Sequence, residues 1–469
     1  MTVQLFEHQK EGIAFLTGKQ HGLLAFEQGL GKTLVAIRAF NEVLHRNECD
    51  RMLVICPNSL KRNWVAEIEK FADGVTCEIA EGSPARRKAT FAETKARVVI
   101  TSYETARTEH RAITAFLQRQ RTALTLDESH ATKNWQSLTS TAARYFAPFA
   151  RFRWLLSGTP VTNKAADLYT QFEILAPGKN VLGSLEAFVA QAEKDPTAEF
   201  AREEIDRFVL RRTKDQCLDL PAKSFADVQV ELPPWQRRLY DEMRDEMVCR
   251  IQAMSGEEFR AFAATALAQL TRLSQIASNP ALIFPEADGV PAKFDLIDNL
   301  LADVLSVPDR KVIIWSNYVR SIETLLDRLT EYNPIAMYGG TPGHKRQDLA
   351  KQFQEDPATR VLIANPAAAG TGFTFTAASY TIYESLSWRY DHYAQSQDRN
   401  HRIGQTAPVT YMRLIATDTI DEAIVAALER KSGLARALLG DQGAAALVTD
   451  LNKDEMCALI AQNKLPGGA

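Results

Sequence analysis

Short, unbroken apolar runs rich in β-branched residues, each followed by a stretch with helical spacing, constrain this chain more than any other feature. His21–Phe26, Arg51–Cys56, Val98–Ser102, Ala123–Leu126 and Arg153–Leu156 form one series; Lys311–Trp315, Pro334–Tyr338, Arg360–Ala364, Tyr380–Tyr383 and Val409–Ile415 form another. A strand with one wet face alternates apolar and polar residues, whereas an unalternating one is covered on both faces. Strands alternating with helices produce that cover in a parallel sheet. Two series therefore predict an α/β protein of two parallel-sheet lobes. Between them, residues from about Pro234 to Pro285 are strand-poor, with Leu267, Leu270, Leu273 and Ile276 at helical spacing. Pro233-Pro234 and Asn279-Pro280 punctuate the ends of this segment. The expected layout is a first lobe over 1–232, with a helical stretch near 165–208, and a helical insertion over 233–285. A second lobe over 286–440 and a short Ala- and Gly-rich tail over 441–469 complete it.

At 469 residues the chain exceeds one compact core. Its formal net charge of -3 gives no overall basic field, so any surface for a polyanion must be local. The six cysteines are scattered without a CxxC pair, and the eight histidines do not join them at metal-ligand spacing. Reduced thiols follow. No apolar run approaches the ~18 residues that span a bilayer, and Met1–Leu5 is no signal peptide. The expectation is a soluble, cytoplasmic protein.

Glu27-Gln28-Gly29-Leu30-Gly31-Lys32-Thr33 follows an expected strand and opens an expected helix. In that context glycines let the main chain wrap phosphates, and the helix N-terminus adds partial positive charge. Gly29 and Gly31 would line the loop, Lys32 would reach the β- and γ-phosphates of a nucleotide, and Thr33 would hold Mg²⁺. One departure is plain: Phe26 stands where the first glycine of GxxxxGK[ST] belongs. About ninety residues on, Leu124–Leu126 delivers Asp127 and Glu128 to the end of a strand. Asp127 suits Mg²⁺ coordination, and Glu128 suits activation of the attacking water. The bland alternatives are a glycine-rich turn and an acidic surface turn, and neither explains the pair together.

With Leu156-Ser157-Gly158-Thr159-Pro160 as the third motif, the chain resembles superfamily-two helicases. Several stretches are similar to the Swi/Snf family of DNA-translocating ATPases in particular. Leu5-Phe6-Glu7-His8-Gln9 resembles that family's adenine-recognising motif, with His8 where an aromatic is usual. Ile55–Leu60 with Asn63-Trp64, and Ile100–Glu104, resemble its DNA-facing segments. Phe208–Lys214 with Leu220–Lys223, and Leu270–Leu273 through Asn279-Pro280, resemble its inter-lobe region. A charged helix is the alternative reading of Arg211-Arg212-Thr213-Lys214. Ala369–Thr374 resembles a Gly-rich segment set against a DNA phosphate, though Asn365-Pro366-Ala367 stands where the family often has Ser-Thr-Arg. Gln395–Gln405 resembles the arginine motif of the second lobe, with Arg399 and Arg402 on one face if helical. Trp388 resembles the family's tryptophan ahead of that motif and reads equally well as core.

The resemblance implies two RecA-like parallel-sheet lobes with helical insertions. It also implies a DNA-dependent ATPase with ATP and Mg²⁺ as cofactors and double-stranded DNA as partner, working as a monomer. The implied catalytic residues are Lys32, Asp127, Glu128, Arg399 and Arg402. Gln9, Gly29, Gly31, Lys32, Thr33 and Gln395 would bind nucleotide, with Thr33 and Asp127 on the metal. Pro57, Ser59, Thr101, Ser102, Thr371 and Gly372 would face DNA. A strand-separating helicase and a nucleic-acid-binding adaptor with little ATPase activity remain as alternatives.

Overall fold

The computed structural model describes residues 4–158, 166–195, 198–255, 258–259, 262, 266–369, 373–438 and 453–463. The chain divides into two compact units, Met1–Asp219 and Leu220–Ser432, the second also taking the helix Lys453–Gln462.

The first unit is a seven-stranded sheet. Its strands are β1 (His21–Phe26), β2 (Arg51–Cys56), β3 (Cys77–Ile79), β4 (Val98–Ser102), β5 (Thr122–Asp127), β6 (Phe152–Leu156) and β7 (Val209–Arg212). They run in the order β3-β4-β2-β5-β6-β1-β7, and every pairing is parallel. The unalternating runs are buried as their composition requires, β4, β5 and β6 at every position. Leu23 and Ala25 of β1 enter one core with Leu53, Leu124 and Phe146, while Leu24 and Phe26 enter the other with Val35, Phe40 and Trp64. That is the two-residue period of a strand covered on both sides. Three helices matter for the site: α1 (Glu7–Lys19), α2 (Lys32–His45) and α3 (Lys61–Phe71). The charged run Arg211-Arg212 is strand, not helix. It forms the end of β7 beside β1, with Arg211 in register with Ala25 and Arg212 with Phe26.

The second unit is a six-stranded, wholly parallel sheet in the order β10-β11-β9-β12-β13-β8. Its strands are β8 (Lys223–Val230), β9 (Val312–Trp315), β10 (Ile335–Met337), β11 (Val361–Ala364), β12 (Tyr380–Tyr383) and β13 (Val409–Ala416). Strand β8 precedes residue 232, yet it pairs along its whole length with β13, from Lys223 opposite Val409 to Val230 opposite Ala416. Arg413 of β13 fastens it by donating from Nε to Asp227 Oδ1 at 2.5 Å.

The segment read as an insertion forms the helices Pro234–Ala253 and Ala266–Ser278, whose Leu270, Leu273 and Ile276 are buried. Buried Gln236 ties the two together. Its amide donates to Ile276 O at 2.8 Å and its carbonyl accepts from Ala292 N at 3.1 Å. Lys293 meets Asp421 at 2.5 Å with both side chains buried, joining the helix Ala292–Leu305 to the helix that begins at Ile420. Among the described residues no helix is long and apolar enough to cross a membrane.

Candidate nucleotide site and DNA-facing segments

Strands β5, β6 and β1 are neighbours, and their carboxyl ends carry Asp127-Glu128, Ser157-Gly158 and the loop Glu27–Gly31. In a parallel sheet these ends form the ligand crevice. Gly29 and Gly31 have φ of 89° and 82°, where a side chain is strained. Gly31 is needed for a second reason: a Cβ there would lie 2.6 Å from Gln9 Nε2. Phe26, at the position of the missing first glycine, is the buried last residue of β1. Its carbonyl accepts from Lys32 Nζ at 2.9 Å. The departure therefore falls where the main chain is still strand and needs no positive φ. Lys32 opens α2, is buried, and is followed by half-buried Thr33.

Gln9 and His8 of α1 brace this loop from outside. Gln9 is buried, donates to Leu30 O at 3.3 Å, and accepts from Phe6 N at 3.1 Å. His8 Nε2 donates to the same Leu30 carbonyl at 3.1 Å and its ring stacks on Phe6. Burial lowers its pKa below the usual imidazole value. Beside them lies a cavity of about 310 Å³ lined by Glu7, His8, Glu11, Arg212, Gln216 and Cys217. Strand β7 closes toward the loop: Glu27 N donates to Arg212 O at 3.0 Å, and Lys214 N donates to Glu27 Oε2 at 2.9 Å. Glu27 and the Arg212–Lys214 segment thus belong to the site. The sequence placed Glu27 in the loop motif and Phe208–Lys214 in a stretch resembling the family's inter-lobe region, but not the two against each other.

Asp127 is gripped on every side. Trp64 of α3 donates its indole N–H to Oδ2 at 2.8 Å, Glu128 N donates to Oδ1 at 3.0 Å, and Tyr103 donates its hydroxyl to the main-chain oxygen at 2.8 Å. Burial, then the adjacent charge of Glu128, push the Asp127 carboxyl up to about 6, against the lowering effect of the Trp64 bond. Glu128 sits at φ 51° and accepts from Gln28 Nε2 at 3.4 Å. His130 approaches Glu128 Oε2 at 3.4 Å and Ser157 Oγ at 3.2 Å through the same Nδ1, so it stands between the acidic pair and the third motif. Gly158 packs on the phosphate loop: a Cβ there would come within 2.9 Å of Gln28 Cγ and 3.5 Å of Lys32 Nζ. Thr159 and Pro160 lie outside the described residues.

Of the segments expected to face DNA, Pro57 is half-buried and Ser59 exposed, in a single turn, Asn58–Leu60, that leads into α3. Thr101 is different. It lies inside the all-buried β4, and its hydroxyl donates to Ala80 O at 3.4 Å, so its side chain faces the lobe interior. Ser102 is buried as the cap of helix Tyr103–Thr108, accepting from Thr105 N at 3.2 Å. Thr371 and Gly372 lie outside the described residues.

In the second unit Gln395 is buried in the helix Tyr390–Gln397. Arg399 and Arg402 follow that helix rather than sharing a face of it, since residues 398–402 form an irregular turn. Main-chain oxygens bring the two together: Arg399 donates from Nε to Gln395 O at 3.0 Å and from Nη1 to Phe373 O at 3.2 Å, and Arg402 donates to Phe373 O at 3.4 Å. Gln405 fastens the turn by donating to Thr376, Ala378 and Asn400 oxygens, and Tyr411 does so by donating to Gln397 O and Asn400 Oδ1. Trp388 is buried in the core.

Residues 8–282 match the family model described as SNF2-related domain, which is more than half of the chain. The chain belongs to the SNF2-related family. Residues 292–404 match the helicase conserved C-terminal domain. The SNF2-related chain is 29% identical over 434 residues to an uncharacterized ATP-dependent helicase of Mycoplasma pneumoniae, covering 90% of this chain and 41% of that protein. It is 26% identical over 482 residues to the mouse DNA annealing helicase and endonuclease ZRANB3, covering 97% and 42% respectively. It thus spans less than half the length of these curated relatives. The Sulfolobus solfataricus SWI2/SNF2 ATPase core in complex with dsDNA aligns with a TM-score of 0.44 and 26% identity, covering 98% of this chain and 97% of that one.

Proposed function

We propose that this chain is an ATP-driven translocase on double-stranded DNA, hydrolysing ATP without necessarily separating the strands. The observation that carries the reading is the convergence of Lys32, Asp127-Glu128 and Gly158 at the ends of three neighbouring strands. Lys32 binds the β- and γ-phosphates once its bond to Phe26 O is exchanged for them. Glu128 orients and deprotonates the attacking water. Gln9 and His8, through Leu30, hold the loop against the cavity beside α1, which takes the adenine. Mg²⁺ fits this donor set: Asp127 is buried beside a second carboxylate that disfavours its charge, and Thr33 offers a hydroxyl on the first turn of α2. The metal, when bound, neutralises charge on the phosphate oxygens. Arg399 and Arg402 supply positive charge to the transferred phosphoryl group.

DNA as the track rests on family membership and on relatives named as a DNA annealing helicase and a chromodomain-helicase-DNA-binding protein. Gripping is by backbone phosphates at Pro57–Ser59, Ser102 and Thr371–Gly372, so it carries no sequence information and weakens steeply with salt. ATP and DNA together place the work inside the cell. The deciding experiment compares ATP hydrolysis with no nucleic acid, duplex DNA, single-stranded DNA and RNA, beside a strand-separation assay. Duplex DNA is expected to stimulate most, with no strand separation. Strongest stimulation by single strands, with separation, would establish the helicase alternative; no stimulation by any polymer overturns the motor reading. Lys32→Ala should reduce hydrolysis to background while the circular dichroism spectrum stays native.

A further inference from the structure

Both segments assigned to DNA contact in the first unit send an aromatic side chain to the same residue. The turn Asn58–Leu60 runs straight into α3, and Trp64, one helical turn on, donates its indole N–H to Asp127 Oδ2 at 2.8 Å. Ser102 caps the helix that starts at Tyr103, and Tyr103 donates its hydroxyl to Asp127 O at 2.8 Å. Trp64 and Tyr103 are both buried. Strands β4, β2 and β5 are consecutive in the sheet, so the chain leaving the first two reaches across the end of the third. Among the described residues the Asp127 carboxylate has one donor on each oxygen, and of the two only Trp64 belongs to another segment.

We propose that Trp64 and Tyr103 are positioning residues that transmit polynucleotide contact at 57–60 and 102–104 to the metal-side carboxylate Asp127. This inference rests on the DNA-dependent ATPase reading above. The physical link is short and directional. An indole N–H bond weakens steeply as its angle opens, so a small rotation of α3 changes how Oδ2 is presented. The base of α3 is itself held from outside, with Lys61 and Arg62 both paired to Glu81 at 3.0 and 2.5 Å. Displacement of the Asn58–Leu60 turn is thereby resisted at Glu81 and passed along α3 to Trp64. Tyr103 fixes the height of the Asp127 main chain, while Trp64 fixes the direction of its side chain.

The test is a binding linkage, read without turnover. Affinity of the protein for a slowly hydrolysed ATP analogue with Mg²⁺ is measured with and without a short blunt DNA duplex. The same is done for Trp64→Phe, which keeps the ring and loses the N–H, and for Tyr103→Phe, which loses only the hydroxyl. Coupling between two sites is commonly about 5–150-fold in affinity. In the wild type, DNA is expected to tighten the Mg²⁺-nucleotide at least about fivefold, and Trp64→Phe should bring that ratio within about twofold of unity. Tyr103→Phe should fall between. DNA affinity without nucleotide and the thermal midpoint should stay near wild type, which a purely structural role would not allow. Retention of the full ratio by both variants overturns the inference and leaves the ATPase reading standing. Absence of any DNA effect on nucleotide affinity in the wild type also overturns the inference, while the ATPase reading stands or falls on the hydrolysis assay.

Discussion

The two units hold the cations proposed to meet phosphate by different means. In the first, Lys32 follows a regular strand, and the carboxylates near it are fixed by side chains from elsewhere in the sequence: Trp64 on Asp127, Gln28 and His130 on Glu128. In the second, Arg399 and Arg402 lie in an irregular turn and meet on one main-chain oxygen, Phe373 O. The first arrangement spreads each residue's work over its neighbours, so substitutions there should act jointly. The second holds the guanidinium groups on main-chain oxygens, so substitution of the half-buried Arg402 should separate activity from stability better than substitution of buried Arg399. The sharpest attack on this contrast is the pair Arg399→Ala and Arg402→Ala. An arginine acting on the transferred phosphoryl group is worth about 10³–10⁵-fold in kcat, and each variant should lose activity on that scale. Buried Arg399, bonded to Gln395 O at 3.0 Å and Phe373 O at 3.2 Å, should also lower the thermal midpoint, and half-buried Arg402, bonded to Phe373 O at 3.4 Å, should lower it less. Equal destabilisation by both would remove the distinction.

Glu128→Gln comes next. Loss of a general base commonly costs about 10²–10⁴-fold, and the amide should leave Mg²⁺-ATP binding nearly intact in equilibrium titrations. Gln28 and His130 both contact Glu128, so the loss measured in a Gln28→Ala background should be smaller than in the wild type. Strict additivity of the two would mean that the first unit's residues act singly after all.

The placing of the loop Glu27–Thr33 and the pair Asp127-Glu128 at strand ends was legible because each is contiguous in the sequence. The strands were legible for a related reason. A strand in the middle of a parallel sheet is buried on both faces, and the unbroken apolar runs at β2, β4, β5, β9, β11 and β12 record it. Strands β3, β7 and β8 gave no such signal, and all three lie at sheet edges. With one side unpaired and, in β8, alternate residues exposed from Lys223 onward, they carry polar sequence that reads as loop or helix. The bonds from Trp64, Tyr103 and His130 could not be read at all, because they join residues whose proximity exists only once the sheet order is known. The shared helical face that the spacing of Arg399 and Arg402 allowed does not form, for the opposite reason. Arg-x-x-Arg has helical spacing, and nothing local reveals that Gln405 and Tyr411 pin its main chain open.

Stability of the second unit can be probed away from its arginines. Lys293 and Asp421 are buried against each other, and removing one partner leaves an uncompensated buried charge, which commonly costs about 3–5 kcal/mol. Lys293→Met should therefore lower the unfolding midpoint of the second unit markedly, and adding Asp421→Asn should recover much of the loss. Activity per folded molecule should change little. A double variant no more stable than Lys293→Met would show that Asp421 earns its place through its other bond, from Ala416 N at 3.2 Å.

The smallest expected effect tests the most delicate joint of the first unit. His130 Nδ1 lies 3.2 Å from Ser157 Oγ and 3.4 Å from Glu128 Oε2, so one ring nitrogen faces both the third motif and the carboxylate proposed to activate water. A neutral hydrogen bond of this kind is worth about 0.5–1.5 kcal/mol. Ser157→Ala should accordingly lower kcat less than about tenfold, with the midpoint moved by only a few degrees. The informative quantity is the coupling: in a His130→Ala background, Ser157→Ala should have almost no further effect on kcat. If the serine substitution costs as much without His130 as with it, the histidine is not the bridge. The first unit would then hold its acidic pair and its third motif as independently as the second unit holds its two arginines.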